Sequence, residues 1–152
     1  MIQSALAYGQ SLHEEMKMIK LFALFAACAT LLAAPTAAQI QGERTGITAE
    51  PLHVFDDATM PGKEFRVLRT TYAPGGRNPK HYHPSHVVFY VLEGAGVWQE
   101  EGKEPVTLKA GQTLHVRPGM VHSHHNASST EKLVFLEYVI VDKGQRSTVR
   151  TP

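Results

Sequence analysis

Between Phe65 and Val141 short apolar runs alternate with turn residues. FRVLRTTYA (65–73) stops at PGG (74–76), and HVVFYVL (86–92) stops at EGAG (93–96). VWQ (97–99) runs into EEGK, VTL (106–108) into KAG, and TLHV (113–116) into RPG; KLVFLEYVIV (132–141) closes the series. Each run is rich in β-branched and aromatic residues and bounded by Gly or Pro, which predicts strands. Strands this short, at this spacing, predict an all-β sandwich or barrel. No stretch after Gln39 carries a 3.6-residue apolar period, so no helix is expected there.

The N-terminal quarter has a different pattern. MKMIK from Met16 is followed by an uncharged stretch, LFALFAACATLLAA (21–34), and then by PTAAQ. A positive start, an apolar centre and a small-residue exit predict a secretory signal peptide cleaved after Ala38. Fourteen residues before Pro35 fall short of the roughly 20 that span a bilayer as a helix, so no membrane span is expected in the mature protein. Residues 1–15 read as an extension upstream of that signal. The expected organisation is a leader over 1–38, an N-terminal segment over 39–51, a barrel over 52–142 and a tail over 143–152. The expected location is periplasmic or secreted.

Composition narrows the partners. Fifteen Lys and Arg stand against fourteen Asp and Glu, a balance that gives no basis for nucleic-acid binding. Cys28 is the single cysteine, so no intrachain disulfide is possible, and the mature piece has none to oxidise. Composition leaves a small-molecule partner and a homodimer open without pointing to either.

Histidine is the unusual residue: there are nine, seven of them between His81 and His125. His81 and His83 are two apart, so on a strand both project from one face. His122 arrives after a Pro-Gly turn, at the start of another strand. Three imidazoles converging from two strands suit a divalent transition metal. At ordinary imidazole values, metal affinity should fall as the pH drops through about 6–7.

These residues resemble the two motifs of the cupins. Gly75, five residues, His81-Tyr82-His83 and the closing Gly94 follow the first motif. Gly111, Gly119, His122 and Asn126 follow the second, with Arg117 where the family has proline. The resemblance spans about residues 52–142. It implies a double-stranded β-helix, or jelly-roll barrel, with iron, manganese, nickel, copper or zinc in its mouth. Where the family places a metal-binding Glu, this chain has Val87 and Val88. That departure resembles the cupins with three histidines, such as the thiol dioxygenases, and implies a centre with open positions for substrate and oxygen or water.

Other groups carry two readings each. Strand alternation turns His86 away from His81 and His83, whereas a bulge near Pro84 would turn it in as a further ligand. His124, two beyond His122, should point into the same cavity, as an acid/base partner or as an aromatic wall. Glu137 either faces inward with Phe135 and Val139, as a general base or a substitute ligand, or shares an outer face with them. His115 and His125 read as outward. Arg66, Arg69 and Tyr72 are candidates for holding a substrate carboxylate.

Function follows from the same resemblance. It implies an exported metal-dependent enzyme acting on a small oxygenated substrate, by dioxygenase-like chemistry or by Lewis-acid isomerase or lyase chemistry. The alternative is a non-catalytic module that binds a sugar, another small molecule or a metal, and metal content separates the two.

Overall fold

The computed structural model describes residues 43–151. The expected leader over 1–38, Cys28 and the first residues of the N-terminal segment lie outside the described residues. The elements are β1 (Thr45–Asp56), β2 (Lys63–Tyr82), β3 (Val87–Glu93), β4 (Ala95–Glu100), β5 (Val106–Lys109), β6 (Thr113–Val116), β7 (His122–Asn126), β8 (Leu133–Asp142) and β9 (Val149–Arg150). No helix occurs among the described residues, and so none there is long and apolar enough to cross a membrane.

All the strand pairs are antiparallel, in the order β5-β4-β7-β2-β8-β3-β6, with β1 and β9 also paired to β2. The sheet curls into a nearly closed barrel, the all-β architecture expected from the strand spacing. Alternation sets its inside. On β3, Val87, Phe89 and Val91 are buried while Val88 and Tyr90 face outward. On β8, Leu133, Phe135, Val139 and Val141 are buried. Trp98 and Tyr72 complete the core, with Phe89, Trp98 and Phe135 in mutual ring contact at 5.4–5.8 Å.

Two boundaries differ from the sequence expectation. The strand beginning at Phe65 was expected to end at Pro74-Gly75-Gly76, yet β2 continues to Tyr82. Its first half pairs with β8 from Lys63 to Tyr72, and its second half with β7 from Arg77 to His81. The PGG corner therefore lets one strand change neighbours rather than stop. Gly75 takes a left-handed φ of 68°, open to glycine without strain. Pairing also begins at Thr45, upstream of the expected barrel start at 52, because β1 runs along β2 as far as Asp56.

Asn126 explains why an amide suits that corner. Its Nδ2 donates to the carbonyls of Ala73 (3.0 Å) and Glu131 (2.7 Å), and its Oδ1 accepts from the Ser128 N–H (2.9 Å). One buried side chain thus ties the β2 corner to the β7–β8 turn. Gly94, by contrast, is required by space, since a Cβ there would meet the Lys132 carbonyl oxygen at 2.4 Å. Asn126→Ala removes the bonds of one buried amide to the Tyr72, Ala73, Glu131 and Ser128 backbone, so we expect a loss of about 2 kcal/mol in urea unfolding at unchanged m-value.

Candidate metal centre

The β2–β7 ladder places His81 directly opposite His122. His83 follows the end of β2, and its carbonyl accepts the N–H of Gly119 at 2.8 Å, which anchors the Pro-Gly turn leading into β7. All three histidines are buried, and one ring nitrogen from each lies within 4.8 Å of the others. Among the described residues no Asp, Glu or Cys joins this group.

Hydrogen bonds assign the free nitrogens. His81 Nδ1–H donates to the Pro79 carbonyl (2.7 Å), His83 Nδ1–H to the Ser147 carbonyl (2.7 Å) and His122 Nδ1–H to the Met120 carbonyl (2.9 Å). A carbonyl only accepts, so each Nδ1 carries the proton and each Nε2 keeps a lone pair. His83 Nε2 and His122 Nε2 are buried without a partner among the described residues. His81 Nε2 has only the Asn78 amide, at 3.5 Å. Three convergent lone pairs, each braced by a carbonyl behind the ring, form a donor set that fits a divalent transition metal.

Burial also keeps the imidazoles neutral. Desolvation pushes His81 down to about 3, reinforced by His122, and pushes His83 down to about 4. It lowers His122 as well, against the pull of its bond to Met120. The fall in metal affinity expected through pH 6–7 therefore moves to lower pH, because protons compete less well for buried rings.

Val87 stands at an inward position where the family motif carries its Glu, and it is fully buried between Val116 and Val139. The centre therefore has three histidine donors and no carboxylate. His86 is not among them. It is exposed, and its Nδ1 lies 2.8 Å from His115 Nε2 with the two rings stacked on the outer surface. His86 thus stays on the outer side, and His115 is outward as expected. His125 is half-buried rather than solvent-facing, and desolvation lowers its pKa.

His124 does face the interior, where it packs as part of an aromatic wall. It is stacked between Trp98 (5.4 Å) and Tyr72 (5.5 Å), meets His81 edge-on at 5.0 Å, and shares a 2.8 Å hydrogen bond from Nδ1 to the Tyr72 hydroxyl. Burial holds His124 well below the usual imidazole range and Tyr72 well above the usual phenol range, so both are neutral. Tyr72 is thus tied to His124. Arg66 is paired with Glu64, and Arg69 lies 3.6 Å from Glu50 on the surface, so neither arginine reaches the centre.

Glu137 is inward, alongside Phe135 and Val139, and Leu136 and Tyr138 take the outer side. It does not join the three histidines within ligand range, so it is no substitute for the motif Glu. Desolvation raises its carboxyl to about 7, partly offset by Arg44. A raised folded value means that the stabilisation is complete below the unfolded value near 4.5 and is lost as the pH rises through about 7. Glu137→Gln should therefore raise stability at pH 8 by about 2–3 kcal/mol and change it little at pH 4. Melting curves at the two pH values check this; an equal effect at both would refute it.

Two cavities flank the centre. One of about 90 Å³ is lined by His81, His83, His124, Tyr72, Thr70, Glu137 and Asn78, with Arg44 and Ser147 at its edge. The other, of about 240 Å³, lies between the edge strands β5 and β6 and reaches His122, Trp98 and Met120. Sequence reasoning missed Thr70, Asn78 and Ser147. Thr70 had a signal, as a polar residue in register with Tyr72 on an inward stripe. Ser147 acts through its backbone carbonyl, 64 residues from His83, and no side-chain pattern could reveal it.

The family model described as "Cupin domain" matches residues 68–144. Among curated proteins, quercetin 2,3-dioxygenase of Bacillus subtilis is 34% identical over 97 residues, covering 62% of this chain and 28% of its own length. The chain thus spans little more than a quarter of that relative. Among solved structures, a cupin-like protein of Thermotoga maritima matches with a TM-score of 0.52 and 28% identity, over 70% of this chain and 78% of its own. A cupin superfamily protein of Desulfitobacterium hafniense matches with a TM-score of 0.53 and 14% identity, over 68% and 84% of the respective chains, a likeness of fold alone.

Proposed function

This chain belongs to the cupin domain family, and from that premise we propose that it is an exported, metal-dependent enzyme acting on a small oxygenated substrate. The observation that carries this reading is the convergence of three buried histidine nitrogens within 4.8 Å, two of them without any partner among the described residues. His81, His83 and His122 would hold the ion through Nε2. When bound, such an ion supplies Lewis-acid polarisation or, if redox-active, dioxygen chemistry. The similarity to quercetin 2,3-dioxygenase supports the second branch.

The chain's own residues set the conditions. All three donors are neutral, so the centre keeps the full charge of its ion and favours an anionic group on the substrate. Phe89 packs against His83, and Phe89, Trp98 and Phe135 surround His124, forming an apolar wall on one side of the centre. Glu137, with a value of about 7, exists in both protonation states near neutral pH and can take or give a proton inside the cavity. The Tyr72–His124 bond fixes the wall against which a substrate would rest. A homodimer belongs to the same reading, since Val88, Tyr90, Tyr138 and Ile140 are each more than a third exposed on the outer face of β3 and β8.

The test is metal content and turnover together. Exported protein should begin at Gln39 on N-terminal sequencing and hold about one transition metal per chain by elemental analysis. It should also turn over at least one compound in a panel of small hydroxy and oxo acids, followed by oxygen uptake and product chromatography. Protein that takes up none of iron, manganese, nickel, copper or zinc would refute the enzyme reading. Protein that binds metal without turnover would be the non-catalytic module.

A further inference from the structure

We propose that Thr70 and Glu137 form a hydroxyl-binding subsite beside the three histidines, which makes small 2-hydroxy acids the substrate class of this centre. The inference deepens the metal-enzyme reading and rests on it for the carboxylate end of the substrate.

Two buried polar atoms carry the argument. Thr70 Oγ1 and Glu137 Oε1 have no hydrogen-bond partner among the described residues, although their residues are only 3% and 8% exposed. Both line the same cavity of about 90 Å³ as the His81 and His83 rings. In the β2–β8 ladder Thr70 faces Phe135 and Glu137 faces Leu68. The two are therefore diagonal neighbours on the inner face, roughly 7–8 Å apart at the backbone. They are not bonded to each other, and a single oxygen between them could meet both. A hydroxyl suits that place, because it donates to one partner while accepting from the other. Buried polar groups left unpaired in a native protein call for such an occupant.

Size and charge fix the rest of the molecule. The cavity has room for about three waters by their share of liquid volume, hence for a compound of two or three carbons. A three-histidine centre favours an anionic group, and Arg44 at the edge of the cavity adds positive charge. A carboxylate toward the histidines and a hydroxyl on the next carbon toward Thr70 and Glu137 satisfy both ends.

Glycolate and acetate differ by that one hydroxyl and serve as probes. Each is titrated calorimetrically into the full chain, metal-free and loaded with Mn(II), with manganese content measured separately. Wild-type protein should bind glycolate at least about tenfold more tightly than acetate. Thr70→Val and Glu137→Leu should each reduce that ratio to about twofold or less, with manganese content unchanged. Melting temperatures show whether each variant folds, and either one alone decides the comparison. A wild-type ratio near one overturns the subsite. So does a tenfold ratio that survives in a folded variant, since the metal alone would then be chelating the hydroxyl. Failure to bind Mn(II) counts against the metal reading instead. The metal-free titrations then decide the subsite, which stands if a Thr70-dependent glycolate preference remains and falls if none does.

Discussion

His81→Ala should leave less than about a tenth of the wild-type metal bound after dialysis, and adding His122→Ala should remove little more. The three donor nitrogens lie within 4.8 Å of one another and would hold one ion, so the first substitution already breaks the chelate that gives each remaining ligand its value. Loss of a group that merely orients a metal-binding histidine typically costs 10–100-fold in affinity, and loss of the ligand itself should cost more. Each ring is held by a carbonyl behind it, so no neighbouring imidazole is free to swing into the gap. His86→Ala and His115→Ala should leave the metal content unchanged, because those two rings are stacked on each other at the outer surface. Elemental analysis of the four single variants and the double variant checks the whole pattern. If His86→Ala emptied the site while His83→Ala did not, the register at the end of β2 and the three-histidine centre would both be wrong.

That pattern was legible because a two-residue spacing on a strand is a geometric statement. His81 and His83 had to share a face once the strand was recognised, and the Pro-Gly turn before His122 marked the entry of the partner strand. The same alternation placed His86 and His115 outward. It failed at Glu137, where β8 carries large apolar residues on both sides: Phe135 and Val139 are buried, yet Tyr138 and Ile140 are 43% and 38% exposed. Hydrophobicity alone cannot orient such a strand. The PGG corner misled for another reason. Proline and glycine mark a change of backbone direction, and whether the strand ends or changes partner depends on what lies alongside, here β7 and the Asn126 tie. β1 escaped notice because it pairs along one edge of β2 and leaves Leu52, Val54 and Phe55 40–48% exposed, so no buried alternation is written into it. The imidazole pKa values were out of reach too, since they depend on the depth of burial.

That depth of burial has a second consequence. Metal-free protein should lose much of its stability as the pH falls from about 6.5 toward 4, with a melting temperature lower at pH 5 than at pH 7 by on the order of 10 °C. In the unfolded chain each imidazole takes up a proton near 6.5. In the folded chain His81 waits until about 3 and His83 until about 4, and His122 and His124 are lowered as well. Their stabilisation is fully present above 6.5, falls as the unfolded state gains protons that the folded state refuses, and is gone once the folded values are passed. Glu137 works in the opposite direction, because its folded value of about 7 makes the protein more stable as the pH falls toward 4.5. The magnitudes decide the outcome. His81 and His83 together move more than twice as far from their ordinary values as Glu137 does, so the histidines dominate the acid limb. Their combined effect is on the order of several kcal/mol, a large share of the 5–15 kcal/mol that holds a typical domain together. Saturating metal binds only the neutral rings, so it should raise stability at pH 7 and move the acid transition to lower pH. His83→Gln, which removes one titrating ring, should flatten the acid limb of the metal-free protein even if its stability at pH 7 is lower. A metal-free melting temperature unchanged between pH 7 and pH 5, or a limb as steep in His83→Gln as in the wild type, would show that the histidines reach water more freely than their packing against Phe89, Trp98 and Phe135 allows.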